Sequence, residues 1–133
     1  MRAWMAAETD ARVLLGGKLS GYMGRYPGIA EEALLSLRAG KPIYLLGGFG
    51  GCARALADAV MGRKPAALIR EFQERDPAYR EMVAAHDAIP GVDPVDYEGL
   101  VGELERLGLG GLSALRAVHV RLAHDLDVRF ARR

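Results

Sequence analysis

The chain has 133 residues, half of them hydrophobic, enough for one domain with a real core and too many for a disordered chain. Eighteen Lys and Arg against 17 Asp and Glu leave a formal charge of +1, so no global field steers it to nucleic acid or an acidic membrane surface, and any anion site has to be local. The single cysteine forms no internal disulfide, no run approaches the roughly 20 apolar residues of a membrane span, and "MRAWMAAETDAR" carries charge where an h-region would run, so a cytoplasmic location is expected.

In chain order, Arg12 to Leu15 ("RVLL") is a short apolar run ending at Gly16 and Gly17, which predicts a buried strand. The polar loop "KLSGYMGRYPG" follows. From Pro27 the spacing turns helical, with Ala30, Ala33, Leu34 and Leu37 on one face, Glu31 and Glu32 in the first turn where carboxylates favour the helix dipole, and Gly40 as the stop. "KPIYLL", Lys41 to Leu46, predicts a second buried strand, and Cys52 to Met61 a helix with Ala53, Leu56, Ala57 and Val60 inward. Strand, helix, strand, helix with crossovers of this length is an α/β pattern, a partial Rossmann-like βαβα unit with parallel strands.

After Gly62 the pattern is helical throughout. Pro65 opens a helix carrying Leu68, Ile69 and Phe72, and Asp76-Pro77 reads as N-cap and first residue of another with Tyr79, Met82, Val83 and His86. "AIPGVDPVD" is a loop. Tyr97, Leu100, Val101, Leu104 and Leu107 mark a third helix, a loop is expected near Gly108 to Gly111, and Leu112, Leu115, Val118, Leu122 and Leu126 mark a fourth. The chain thus divides into residues 1–62, the α/β part, and residues 63–133, an all-helical C-terminal segment. Two parallel strands are too few to bury both faces of a sheet. The expectation is therefore a homo-oligomer or part of a longer chain.

Ten of the 17 glycines lie between Gly16 and Gly51. Gly48, Gly50 and Ala53 fit G-x-G-x-x-A between a strand and a helix, a turn that brings backbone N–H groups to a point where absent β-carbons admit a phosphate. Each glycine also costs about 0.5–1 kcal/mol of extra backbone entropy, and the competing reading is a tight turn with close helix packing. The acidic residue that a dehydrogenase wants about 20 positions on has no counterpart, since Glu71 lies in a helical pattern. Parallel strands put both glycine turns and the N-terminus of the Pro27 helix on one edge. Lys18 and Arg25 are then candidates to neutralise phosphates, and Glu31 or Glu32 to hold a ribose hydroxyl.

Other chemistry-bearing residues suggest less. Cys52 lies near a helix N-terminus without a histidine beside it in sequence and reads as a small core residue. His119 and His124, five apart, do not share a helix face, so with His86 they make no metal set, and neither a metal nor a separate cofactor is expected. The terminal "DVRFARR" reads as a solvated tail, so no nucleic-acid partner is expected, and Trp4 reads as a core or interface residue.

Two motifs together, "PGIAEEA" and "YLLGGFGG", carry a resemblance. The run from Ala11 to Ala59 resembles the later half of the SLOG domain, the Rossmann-like superfamily that includes the LOG-type "lysine decarboxylase-like" proteins, with "MRAWMAAETDA" as the helix before a late strand. The resemblance implies that residues 1–62 are the C-terminal half of a nucleotide-binding domain whose ligand is a small-molecule nucleotide derivative, ADP-ribose-like, as in sensors of bacterial anti-phage defence. It implies a site of Gly16, Gly17, Lys18, Gly24, Arg25, Pro27, Gly28, Glu31 and Glu32 together with Gly47, Gly48, Phe49, Gly50 and Gly51. Related LOG enzymes carry P-G-G-x-G-T-x-x-E. Aligned on the paired acids, Gly28 and Glu32 match, whereas Gly24, Arg25 and Tyr26 replace Pro-Gly-Gly and Ile29 replaces Thr, leaving Glu32 the catalytic carboxylate if the protein is a hydrolase. Three readings follow: a binding sensor without turnover, a nucleoside monophosphate phosphoribohydrolase, and a non-catalytic oligomerisation module.

Overall fold

The computed structural model describes residues 1–114. Helix α1 (Arg2–Glu8) precedes strand β1 (Arg12–Leu15), helix α2 (Gly28–Arg38), strand β2 (Ile43–Leu46) and helix α3 (Gly51–Val60). The strands pair in parallel, with Arg12 opposite Ile43 and Leu15 opposite Leu46, as the β-α-β spacing requires. The second strand starts two residues later than predicted. Pro42 has no N–H to give the ladder, and its carbonyl accepts from Arg12 N at 2.9 Å just ahead of the paired run.

Glycines end helices α2 and α3, the first as the sequence indicates. Past α2, Gly40 takes φ +66°. Its N–H bonds Leu37 O while Lys41 N bonds Ser36 O, both at 2.9 Å, which satisfies two carbonyls of the last turn. Past α3, Gly62 repeats the arrangement at φ +75°.

Helices α2 and α3 both pack on the two strands and on each other, covering the sheet face made by Leu14, Ile43 and Leu45, all within 1% of full burial. Among the described residues no element covers the opposite face. Val13 is 56% and Leu15 53% exposed, and their partners Tyr44 and Leu46 are half-buried. Parallel strands normally have both faces covered.

The chain after Gly62 carries no strand among the described residues, but it is not the plain helix series predicted. The helix expected from Pro65 is split into a single 3-10 turn (Ala66–Leu68) and a short helix α4 (Arg70–Gln73), because Ile69 between them is extended at φ −115°, ψ 137°. Its 42% exposure shows that its side chain does not follow Leu68 into the core. Helix α5 (Pro77–Asp87) starts as predicted: the Asp76 carboxylate accepts from Ala78 N at 3.0 Å and Pro77 takes the first position. Helix α6 spans Tyr97–Ala114, and the loop expected at Gly108 to Gly111 is confined to one residue, Gly108, at φ +53°, ψ −176°. The rest of the predicted fourth helix, His119, His124 and "DVRFARR" lie outside the described residues.

One core runs through both parts of the chain. Leu14, Ile43, Leu45 and Leu56 belong to the same buried cluster as Leu68, Tyr79, Val83, Tyr97, Leu100 and Leu104, and α6 packs against α3.

Candidate functional site

Both glycine turns sit at the C-terminal ends of the strands, and they touch. Gly51 N-terminally opens α3 at φ +64°, and a β-carbon there would fall 2.5 Å from Gly17 O and 2.8 Å from Gly16 C. Cys52 N donates to Gly17 O at 3.1 Å and Ala53 N to Gly16 O at 2.8 Å. Two of the orphan N–H groups of the α3 first turn are thereby satisfied by the first glycine pair. Gly17, at φ +90°, is confined from the other side, where a β-carbon would lie 2.5 Å from Ile29 Cγ1 and 3.3 Å from Cys52 Cβ. The convergence expected from parallel topology is thus a direct backbone contact.

The rest of the second turn is more open. Gly47 to Phe49 form one 3-10 turn closed by Gly50 N donating to Gly47 O at 2.9 Å. Gly47 is buried and Gly48 exposed. Phe49 is 73% exposed, a large aromatic displayed between glycines. Gly50 takes φ +71°, ψ −155°, a region essentially reserved for glycine, and a β-carbon on it would meet nothing within 4 Å, as would one on Gly16. Conformation therefore demands Gly50, while close approach demands Gly17 and Gly51.

Between β1 and α2, Lys18 and Gly24 are exposed and Arg25 half-buried. Neither cation makes an ion pair with a described residue. Pro27 is buried as the N-cap of α2 and Gly28 is its first residue. The acids behave differently from the cations. Arg2 Nη1 lies 2.7 Å from Glu31 Oε2 and Arg2 Nε 3.6 Å from Glu32 Oε1, while Arg12 Nη1 lies 3.2 Å from Glu32 Oε2. Arg2 also lies over Gly28, where a β-carbon would come 2.9 Å from its Nη2. Glu31 alone is in the first turn; Glu32 follows it. These pairs tie α1 and the start of β1 to α2. Arg2 and Arg12 carried no sequence signal of this, because their partners lie 20 and 29 residues away.

Sequence reasoning also missed a cluster of tyrosines behind the Lys18–Tyr26 loop. Tyr22, Tyr79 and Tyr97 join hydroxyls, and burial first of all pushes the Tyr22, Tyr26 and Tyr97 phenols above their ordinary range. Burial likewise pushes the Cys52 thiol up to about 11, and its side chain is fully enclosed, which fits a core residue and not a nucleophile. His86 is half-buried with Nδ1 3.2 Å from Asp87 Oδ1, and no group of three or more His, Cys, Asp or Glu among the described residues could hold a metal ion. No helix among them is long and apolar enough to cross a membrane.

A groove of about 600 Å³ lies elsewhere, between the Lys64–Glu71 segment and the start of α6. Leu68, Val95 and Val101 line it together with Glu71, Glu98 and Glu105, and it contains none of the predicted site residues. Its wall carries four carboxylates, Glu71, Asp96, Glu98 and Glu105, against Lys64 and Arg70, an acidic excess that suits a phosphate poorly. The glycine edge remains the chemically better anion site.

Comparison with known proteins matches the chain to a family. The family described as SLOG cluster2 matches residues 1–122, beyond the 1–62 stretch that carries the two motifs, and marks a nucleotide-binding-related domain. No protein of curated function matches the chain, and no solved structure does.

Proposed function

This chain belongs to the SLOG cluster2 family, and we propose that it binds a phosphate-bearing nucleotide derivative of the ADP-ribose type at the edge where its glycine turns meet. The observation that carries the reading is the contrast in charge around that edge. Lys18 and Arg25 have no ion-pair partner among the described residues, whereas Glu31 and Glu32 are neutralised by Arg2 and Arg12. A phosphate arriving there meets uncommitted cations and screened acids. Gly16 and Gly50 add backbone without side-chain bulk, and exposed Phe49 offers a flat apolar face to a base or ribose.

Binding without turnover is the form of this proposal. The hydrolase reading needs Glu32, and that carboxylate is held by two arginines that bind α2 to its neighbours. The open sheet face supports a second reading in parallel: Val13 and Leu15 are covered by further strands or helices, from a second copy or from additional chain, so that this fold is one part of a larger assembly.

The test is a thermal-shift screen against AMP, ADP-ribose, cyclic ADP-ribose isomers and NAD. At least one should raise the melting temperature, and Lys18→Glu and Arg25→Glu should each weaken that effect, most at low salt. A screen in which none of these ligands moves the melting temperature would overturn the reading.

A further inference from the structure

The loop that carries Lys18 and Arg25 is fastened from the helical part of the chain. Gln73, at the end of α4 and 3% exposed, donates from Nε2 to Leu19 O at 2.8 Å and to Ala67 O at 2.6 Å, and its Oε1 accepts the Tyr22 hydroxyl at 3.1 Å. From α5, the Tyr79 hydroxyl donates to Arg25 O. From the start of α6, the Tyr97 hydroxyl stands 2.6 Å from that of Tyr22 and 3.1 Å from that of Tyr79. Tyr26 closes the loop, its hydroxyl accepting from Asp96 N at 2.8 Å. Edge-to-face ring contacts, Tyr22 on Tyr79 at 5.5 Å and Tyr26 on Tyr97 at 5.2 Å, lie behind these bonds.

A proton count separates the roles. Each phenol has one proton. The Tyr22 proton serves Gln73 and the Tyr79 proton serves Arg25 O, so Tyr97 has one proton for two neighbouring hydroxyls. Removing the Tyr79 hydroxyl leaves Arg25 O with only the long 3.5 Å contact to Tyr97. Removing the Tyr97 hydroxyl leaves both carbonyl anchors in place. Tyr79 and Gln73 therefore hold the loop backbone, and Tyr97 bridges them.

We propose that Gln73 and Tyr79 are positioning residues for the phosphate edge, fixing the backbone at Leu19 and Arg25, and that ligand occupancy and the order of α4 to α6 form one coupled equilibrium. This rests on the binding reading above and adds what the helical part does for it. Coupling of this kind is reciprocal: a ligand that engages Lys18 and Arg25 only when the loop is fixed returns the same free energy to the helices that fix it. The Gln73 and Tyr79 side chains are themselves buried, so a bond they lose to the loop is only partly replaced by water.

Hydrogen exchange read by mass spectrometry tests the positioning without any ligand. Tyr79→Phe and Gln73→Leu should each raise exchange in peptides covering residues 18–27 by several-fold, Tyr97→Phe should do so less, and β1, β2 and α3 should be unchanged in all three. Equal effects of Tyr79→Phe and Tyr97→Phe on the loop, or none, would overturn the assignment. Titration with ADP-ribose and AMP tests the coupling: Tyr79→Phe should weaken binding about three- to tenfold, exposed Arg63→Ala should not, and ligand should slow exchange in α5 and α6 of the unmutated chain. Undiminished binding by Tyr79→Phe would overturn the coupling while leaving the site intact. An unmutated chain that binds neither nucleotide removes the site and the coupling together, and the exchange comparison then decides the positioning role alone.

Discussion

Two adjacent glycines in the second turn should respond very differently to the same methyl group. At Gly50 a β-carbon meets nothing within 4 Å, so Gly50→Ala carries only the conformational cost of φ +71°, ψ −155°, about 1–3 kcal/mol. At Gly51 the residue is again left-handed, at φ +64°, and the new carbon falls 2.5 Å from Gly17 O. That neighbour is backbone and has no rotamer to change. Relief requires α3 to move from the first turn, lengthening the bonds from Cys52 N to Gly17 O and from Ala53 N to Gly16 O. Two such bonds at about 0.5–1.5 kcal/mol each add to the strain, giving roughly 2–6 kcal/mol for Gly51→Ala. Against a typical total of about 5–15 kcal/mol, Gly51→Ala approaches unfolding while Gly50→Ala does not. Urea titration followed by circular dichroism measures both as shifts in midpoint at constant slope. A Gly51→Ala variant as stable as Gly50→Ala would refute the claim that the turns are held in backbone contact.

Three further outcomes follow from particular contacts. Asp76→Ala removes the one side-chain cap of α5 seen in its first turn and should cost about 0.5–2 kcal/mol, read as a lower urea midpoint; an unchanged midpoint would contradict the cap. Val13→Glu with Leu15→Glu should abolish whatever covers the open sheet face, so light scattering of the unmutated chain should show a particle larger than a monomer that the double variant dissociates; a stable monomer in both would sink the idea. Stability should fall at alkaline pH. The Cys52 thiol and the Tyr22, Tyr26 and Tyr97 phenols all hold their protons more tightly in the fold than at their ordinary values of 9.0 and 10.0, so their contribution is complete below about pH 9 and is lost as pH rises towards the folded values. A melting temperature that stays level from pH 8 to 11 would show that this burial is not maintained.

The elements governed by local rules were legible in the sequence, and those governed by distant partners were not. β1 and the Asp76-Pro77 start are local: an apolar run, and a cap with a proline in the first position. The two-strand deficit was legible as well, and the open face with Val13 and Leu15 is its physical form. The break at Ile69 was hidden because Leu68, Ile69 and Phe72 satisfy helical spacing; the packing of Leu68 and the polar reach of Gln73 decide the backbone there. Spacing marked Tyr79 and Tyr97 as inward positions of two helices. It could not show that their hydroxyls meet Tyr22 and Arg25 O, contacts made across 54 to 75 residues of chain.

The glycine count itself turns out to be weaker support for a ligand than its density suggests. Four glycines in five residues call for a reason, and the structure supplies a packing reason for Gly51 and a conformational one for Gly50, while a β-carbon on Gly47 would make ordinary contact with Ala57 Cβ and Arg54 Cδ at 3.4 Å. Gly48 is exposed. The case for an anion site therefore moves from the number of glycines to what stands beside them: two cations with no described partner, two acids already neutralised, and an exposed Phe49 that packing does not require. It follows that substitutions at Gly17 or Gly51 report on folding, whereas Lys18 and Arg25 are the positions whose replacement separates binding from stability.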